Sequence, residues 1–202
     1  LNGGISNSSQ FTLHSNSAEI ELDYFEKNKI KELIIKKIKS PNQDFSGSIV
    51  SKNDISKVDI VGNKLNLYHF LENYNQINQG SSSDFHFSIN VDNFYLLETP
   101  IFSPVLEGKF EKNKFEKLLF KFTNKNHIHE IIIDYKDGKR FFNLESNNAS
   151  FLLDVFDLNP NLKKGHFSIL GTEENGSFNG NVVLNDFVAY DTPFLAKILT
   201  FF

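Results

Sequence analysis

The stretch DFHFSINVDNF, residues 84–94, alternates without a break: Phe85, Phe87, Ile89 and Val91 fall on one side of an extended chain, His86, Ser88, Asn90 and Asp92 on the other. Residues two apart share a face only in a β-strand, so the stretch predicts a strand with one apolar and one polar side. The same period runs outward in both directions. Toward the N-terminus it appears in FTLHS, SAEIELDYF, the Lys-rich KNKIKELIIKKIKS, GSIVSK and KVDIVGN; toward the C-terminus in VLEGKFEKN, KLLFKFTNK, HEIIIDYKD, KRFFNLE, GHFSILGTEE and SFNGNVVLNDF. The apolar series therefore continues through Leu118, Phe120, Phe122, Ile131, Ile133, Phe167, Ile169, Val182 and Leu184. Short turns at Glu26-Lys27-Asn28-Lys29, Glu111-Lys112-Asn113-Lys114, Asn124-Lys125-Asn126 and Asp137-Gly138 predict that consecutive strands are antiparallel neighbours.

Three places break the alternation, each with an Asn, Asp or Thr that can cap a helix, followed by a short helical pattern: NLYHFLENY after Leu65, NASFLLDVFDL after Ser146 and TPFLAKILTFF after Asp191. In the second, Phe151, Leu152, Val155 and Phe156 form the apolar stripe; in the third, Phe194, Leu195, Ile198, Leu199 and Phe202 do. These stripes are expected to pack against the end of the sheet. The fold expected is mainly β: a curved, largely antiparallel multi-stranded sheet with three short apolar helices. Residues 1–202 are read as a single β-rich segment cut from a longer polypeptide, since the first residue is Leu1 and the last ones are apolar. Ten to twelve strands make a sheet face of roughly 1,300 Å², whereas three helices about 15 Å long cover only about 450 Å². The remaining face either closes on itself as a β-sandwich or barrel, or stays open as a trough or groove whose lining meets something apolar that is not protein.

Composition narrows the function classes. A net charge of −4 and a pI near 5.9 supply no basic footprint, so no nucleic-acid partner is expected. The Lys surplus over a single Arg, Arg140, is a usage bias and carries no functional signal. Zero Cys excludes disulfides, thiolate metal sites and Cys nucleophiles. No apolar run approaches the roughly 20 residues of a membrane-spanning helix. His127 and His129 form an H-x-H with Glu130 and Asp134 nearby, but no third ligand has matching spacing, and both histidines are read as facing solvent. Asp134 with Asp137 and Glu173 with Glu174 sit beside turns and are read as loop-solvating rather than acid–base pairs. There is no nucleophile elbow and no phosphate-cradling glycine loop, so neither catalysis nor a metal or cofactor is expected.

The segment FLLDVFDLNPNLKKGHFSILGTEENGSFNGNVVLNDFVAYDTPFLAKIL resembles the C-terminal segment of the AsmA-like proteins of Gram-negative envelopes, in particular the YhdP-type members related to TamB. The residues that carry the likeness are Gly165, Phe167, Ile169 and Gly171, then Gly180, Val182, Leu184, Asp186 and Phe187, then Asp191, Thr192, Pro193, Leu195, Ala196, Ile198 and Leu199. With SKVDIVGNKLNLYHFL the likeness spans about residues 45–202; His166 and Asn66 depart from it. The resemblance implies a periplasmic trough of β-strands, anchored in the inner membrane by a helix outside this segment. It implies phospholipid acyl chains as ligand, neighbouring segments of the same chain and envelope proteins as partners, and a role in phospholipid transport and outer-membrane integrity. A closed structural scaffold without a lipid ligand is the competing expectation.

Overall fold

The computed structural model describes residues 6–68, 84–96, 99–112, 114–155 and 162–189. The alternating segments form twelve strands: β1 (Ser6–His14), β2 (Glu19–Lys27), β3 (Ile30–Ser40), β4 (Gln43–Lys52), β5 (Ile55–Asn66), β6 (Asp84–Tyr95), β7 (Pro100–Glu111), β8 (Lys114–Asn124), β9 (His127–Lys136), β10 (Lys139–Ser146), β11 (Leu162–Glu174) and β12 (Ser177–Ala189). They make one sheet in chain order, with β1 at one edge and β12 at the other. Because the edge strands do not pair with each other, the sheet is open, which overturns the closed sandwich or barrel as an alternative.

Most neighbours are antiparallel because most connections are tight. Asn28 and Lys29, Asn53 and Asp54, Asp137 and Gly138, and Asn175 and Gly176 all take positive φ at both central positions, the backbone of a turn whose twist matches the strands it joins. One pair departs from the expected pattern: β5 and β6 run parallel, Ile60 beside Ile89. Their connection, residues 67–83, is long enough for the crossover a parallel pair demands.

One short helix, α1 (Ala149–Val155), lies among the described residues, between β10 and β11. Asn148 caps it: its side-chain oxygen accepts the Phe151 N–H at 3.3 Å, and its carbonyl accepts the Leu152 N–H at 3.2 Å. Ala149, Leu152 and Leu153 are buried and Phe151 is half-buried against the core, so Phe151 and Leu152 of the expected stripe face the sheet together with Leu153. α1 packs at one end of the sheet, its Phe151 ring beside Phe122 near the end of β8 and His129 near the start of β9. It joins Leu65, Ile89, Val91, Phe94, Ile101, Phe120, Phe122, Phe167 and Ile169 in one core cluster. Phe156, the helix expected after Leu65 beyond Tyr68, and the final one with Phe194, Leu195 and Ile198 lie outside the described residues.

Candidate functional site

Strand register turns the alternation into rows that cross the whole sheet. One row reads Phe11, Leu22, Ile35, Gly47, Ile60, Ile89, Leu106, Phe120, Ile131, Leu144, Ile169, Val182, one residue per strand from β1 to β12. A second, one pleat away, reads Ser9, Tyr24, Leu33, Ile49, Val58, Phe87, Gly108, Leu118, Ile133, Phe142, Gly171, Gly180. At strand spacings of about 4.8 Å, each row spans roughly 50 Å. Of the sequence-predicted lining, Ile89, Phe120, Ile131, Ile169 and Val182 share the first row, and Phe87, Leu118 and Ile133 the second. Phe122, Phe167 and Leu184 fall in a third, with His129 and Ser146 between them. Val91 lies next to Gly62 on the same face, and Phe85 stacks on Phe110 at a centroid distance of 5.1 Å.

Glycines let the large rings lie flat in these rows. A Cβ on Gly108 would sit 2.4 Å from Phe87 Cζ, and one on Gly171 would sit 2.6 Å from Phe178 Cζ. The Phe87 and Phe178 rings thus occupy the space that neighbouring side chains leave vacant. Phe85, Phe87, Phe110 and Phe115 extend this into an aromatic cluster at the end of the sheet away from α1.

Cover over the face is local. Within the first row Ile35, Ile89, Phe120 and Ile169 are buried, as are Phe122 and Phe167 next to α1, whereas the row's edge-strand positions are 52% exposed at Phe11 and 39% exposed at Val182. A seven-residue helix about 10 Å long shades about 100 Å², against a face of well over 1,000 Å². The opposite face carries ion pairs such as Lys121 with Glu130 at 3.0 Å. It is less uniformly polar than the alternation suggests, since Leu119, Ile132 and Leu170 lie in one row there.

Two polar readings are corrected. His129 does not face solvent: it is fully buried in the third row, its ring stacked on Phe122 at 4.7 Å, with Nδ1 2.8 Å from Ser146 Oγ. Burial, with a further contribution from His127, pushes its pKa down to about 4. Alternation with Ile131 and Ile133 was the available signal. Glu173 does not merely solvate its turn; it accepts the Gly176 N–H at 2.7 Å and pairs with Arg140 Nε at 3.0 Å, both side chains mostly buried. The H-x-H pair is not assembled into a metal site, because His129 is engaged by Ser146, and His127 Nδ1 lies 3.2 Å from Asn147 Oδ1. Sequence reading missed His14, Glu19 and Glu21, whose ligand atoms lie within 4.8 Å of one another on the β1–β2 hairpin. There Lys37 already occupies Glu19, whose pKa that hydrogen bond lowers.

No helix among the described residues is long and apolar enough to cross a membrane. Comparison with protein-family models, with curated proteins and with solved structures finds no match to this chain.

Proposed function

We propose that this chain is a non-catalytic segment of an AsmA-like bridge protein in the periplasm, curved into a trough that lines a hydrophobic path for phospholipid acyl chains between inner and outer membrane. In that role it maintains the outer membrane. The observation that supports the reading is the continuous apolar row from Phe11 to Val182 across an open sheet, exposed at those two edge positions. A row of methyl, methylene and ring groups with few hydrogen-bonding groups selects for extended hydrocarbon. Each methylene that leaves water there contributes about 0.8 kcal/mol. The parent protein is held at the inner membrane by a helix outside this segment, and neighbouring segments of the same chain and envelope proteins are its partners.

A photo-crosslinking residue placed at Phe87, on the apolar face, captures lipid, and one at Ser88, on the other face, does not. Extraction of the purified protein, followed by mass spectrometry, returns phospholipid. Equal capture at both positions, or capture at neither, overturns the trough and leaves a structural scaffold without a lipid ligand.

A further inference from the structure

One pleat beyond the second row, on the apolar face and at the end of the sheet away from α1, lies the line Tyr135, Arg140, Glu173, Phe178. Arg140 is the only arginine of the chain; every other one of its 21 Lys and Arg residues is Lys. Lysine supplies charge as a point on a flexible stem, whereas arginine supplies a planar fork of N–H donors. Strands elsewhere in the sheet are tied by lysine, as at Lys121 with Glu130. The fork therefore stands where the lining of the trough begins.

Its surroundings hold it there and leave part of it unspent. Nε donates to Glu173 Oε2 at 3.0 Å, and Glu173 Oε1 accepts the Gly176 N–H at 2.7 Å, so both carboxylate oxygens are engaged. The guanidinium lies over the ring of Phe142, a second-row residue, at 5.1 Å from its centre, and the Arg140 side chain is only 19% exposed. Neither Nη group has an acceptor among the described residues. Lys114 adds a second cation: its Nζ lies over the Tyr135 ring at 5.4 Å, its charge acts on Glu173, and its nearest carboxylate, that of Glu116, stands at 3.9 Å, beyond hydrogen-bond length. Unspent N–H donors of two cations thus gather beside aromatic rings at the rim of an apolar surface.

We propose that the Nη groups of Arg140 and the ammonium of Lys114 bind the phosphate of a phospholipid headgroup, while the acyl chains lie along the apolar rows that begin at Phe142. A phosphate offers several oxygens, enough to accept from the arginine fork and from the lysine together. Glu173 is the positioning residue: it occupies Nε and fixes the plane of the fork. The proposal rests on the reading of the sheet as a lipid trough, and adds to it where the headgroup sits.

Calorimetric titration of the chain with dihexanoylphosphatidic acid and with dihexanoylglycerol, which differ only in the phosphate, separates the two. The phosphate-bearing lipid binds about tenfold or more tighter. Arg140→Lys keeps a charge beside Glu173 but not the fork; it removes most of that advantage and leaves the affinity for dihexanoylglycerol unchanged. Lys114→Gln, at a more exposed position, removes part of it and serves as the test should circular dichroism show that Arg140→Lys does not fold. Inorganic phosphate binds at least about tenfold more weakly than phosphatidic acid, because it has no chains to leave water. Equal binding of the two lipids, or a preference that the folded variants retain, overturns the proposal while the trough stands, and marks Arg140 as a tie between strands. Inorganic phosphate binding as tightly as the phospholipid overturns it in favour of a free-phosphate site. Binding of neither lipid removes the headgroup site and the trough together.

Discussion

Ser146 Oγ lies 2.8 Å from His129 Nδ1 across the β9–β10 ladder, and both residues are fully buried where Phe151 of α1 packs on the sheet. The pair sits in an otherwise apolar row between Phe122 and Phe167. Ser146 Oγ also accepts the Asn148 N–H at 3.1 Å, so this one hydroxyl joins the ladder to the residue that caps the helix. A buried imidazole with a single partner is a point where small changes have large consequences.

Ser146→Ala removes that partner while His129 stays buried, and is expected to cost about 1–3 kcal/mol. The double variant Ser146→Ala with His129→Phe replaces both polar groups by apolar ones and recovers part of the loss. Urea unfolding of wild type, single and double variants measures this, and a double variant less stable than the single one contradicts it.

The same histidine sets a pH response. Its pKa is about 4 in the folded chain against an ordinary 6.5, so between those values the unfolded state binds more protons and stability falls as pH falls. The full difference amounts to roughly 3 kcal/mol, complete below the folded pKa. Glu19, Glu111 and Glu173 are held below their ordinary 4.5 by, first in each case, Lys37, Lys109 and the Gly176 N–H, so their contributions are lost at more acidic pH. Unfolding measured between pH 6.5 and 4.5 reads this contribution, and His129→Phe removes it from the profile in that window.

Two of the hairpins place Lys29 and Asp54 at positive φ where two others have Gly138 and Gly176. Lys29→Gly is expected to stabilise the fold by up to about 1 kcal/mol, by relieving the left-handed backbone without removing a buried contact. Gly176→Lys shifts stability the other way by a similar amount. Thermal melts of the two variants with opposite signs confirm the turn type.

Gly108→Val drives a side chain into the Phe87 ring, whose Cζ lies 2.4 Å from the would-be Cβ. A loss of about 1–3 kcal/mol is expected, and Phe87→Ala in the same chain relieves it. A double-mutant cycle with no coupling shows that the ring does not fill the glycine's place.

Much of this architecture is legible in single residues. Phe85, Phe87, Ile89 and Val91 announce a strand and its face, Asp137-Gly138 announces a hairpin, and Asn148 announces a helix start, because each depends on sterics or hydrogen bonds within a few residues. His129 was misread because its alternation with Ile131 and Ile133 gives the face but not the cover; its burial between Phe122 and Ser146 follows from partners seven residues back and seventeen ahead. Glu173 was misread for the same reason, its partner Arg140 being thirty-three residues away.

The sequence by itself determined which residues belong to strands, which side chains share a face and where the tight turns fall, since period-two alternation and positive φ are local properties of the chain. Only the tertiary structure decided that β5 and β6 run parallel, that the sheet stays open with β1 and β12 as edges, and that Phe11 and Val182 end one row. Those outcomes depend on which strands meet across long separations and on the register at each meeting, and alternation alone is satisfied equally by any pairing that keeps apolar faces together.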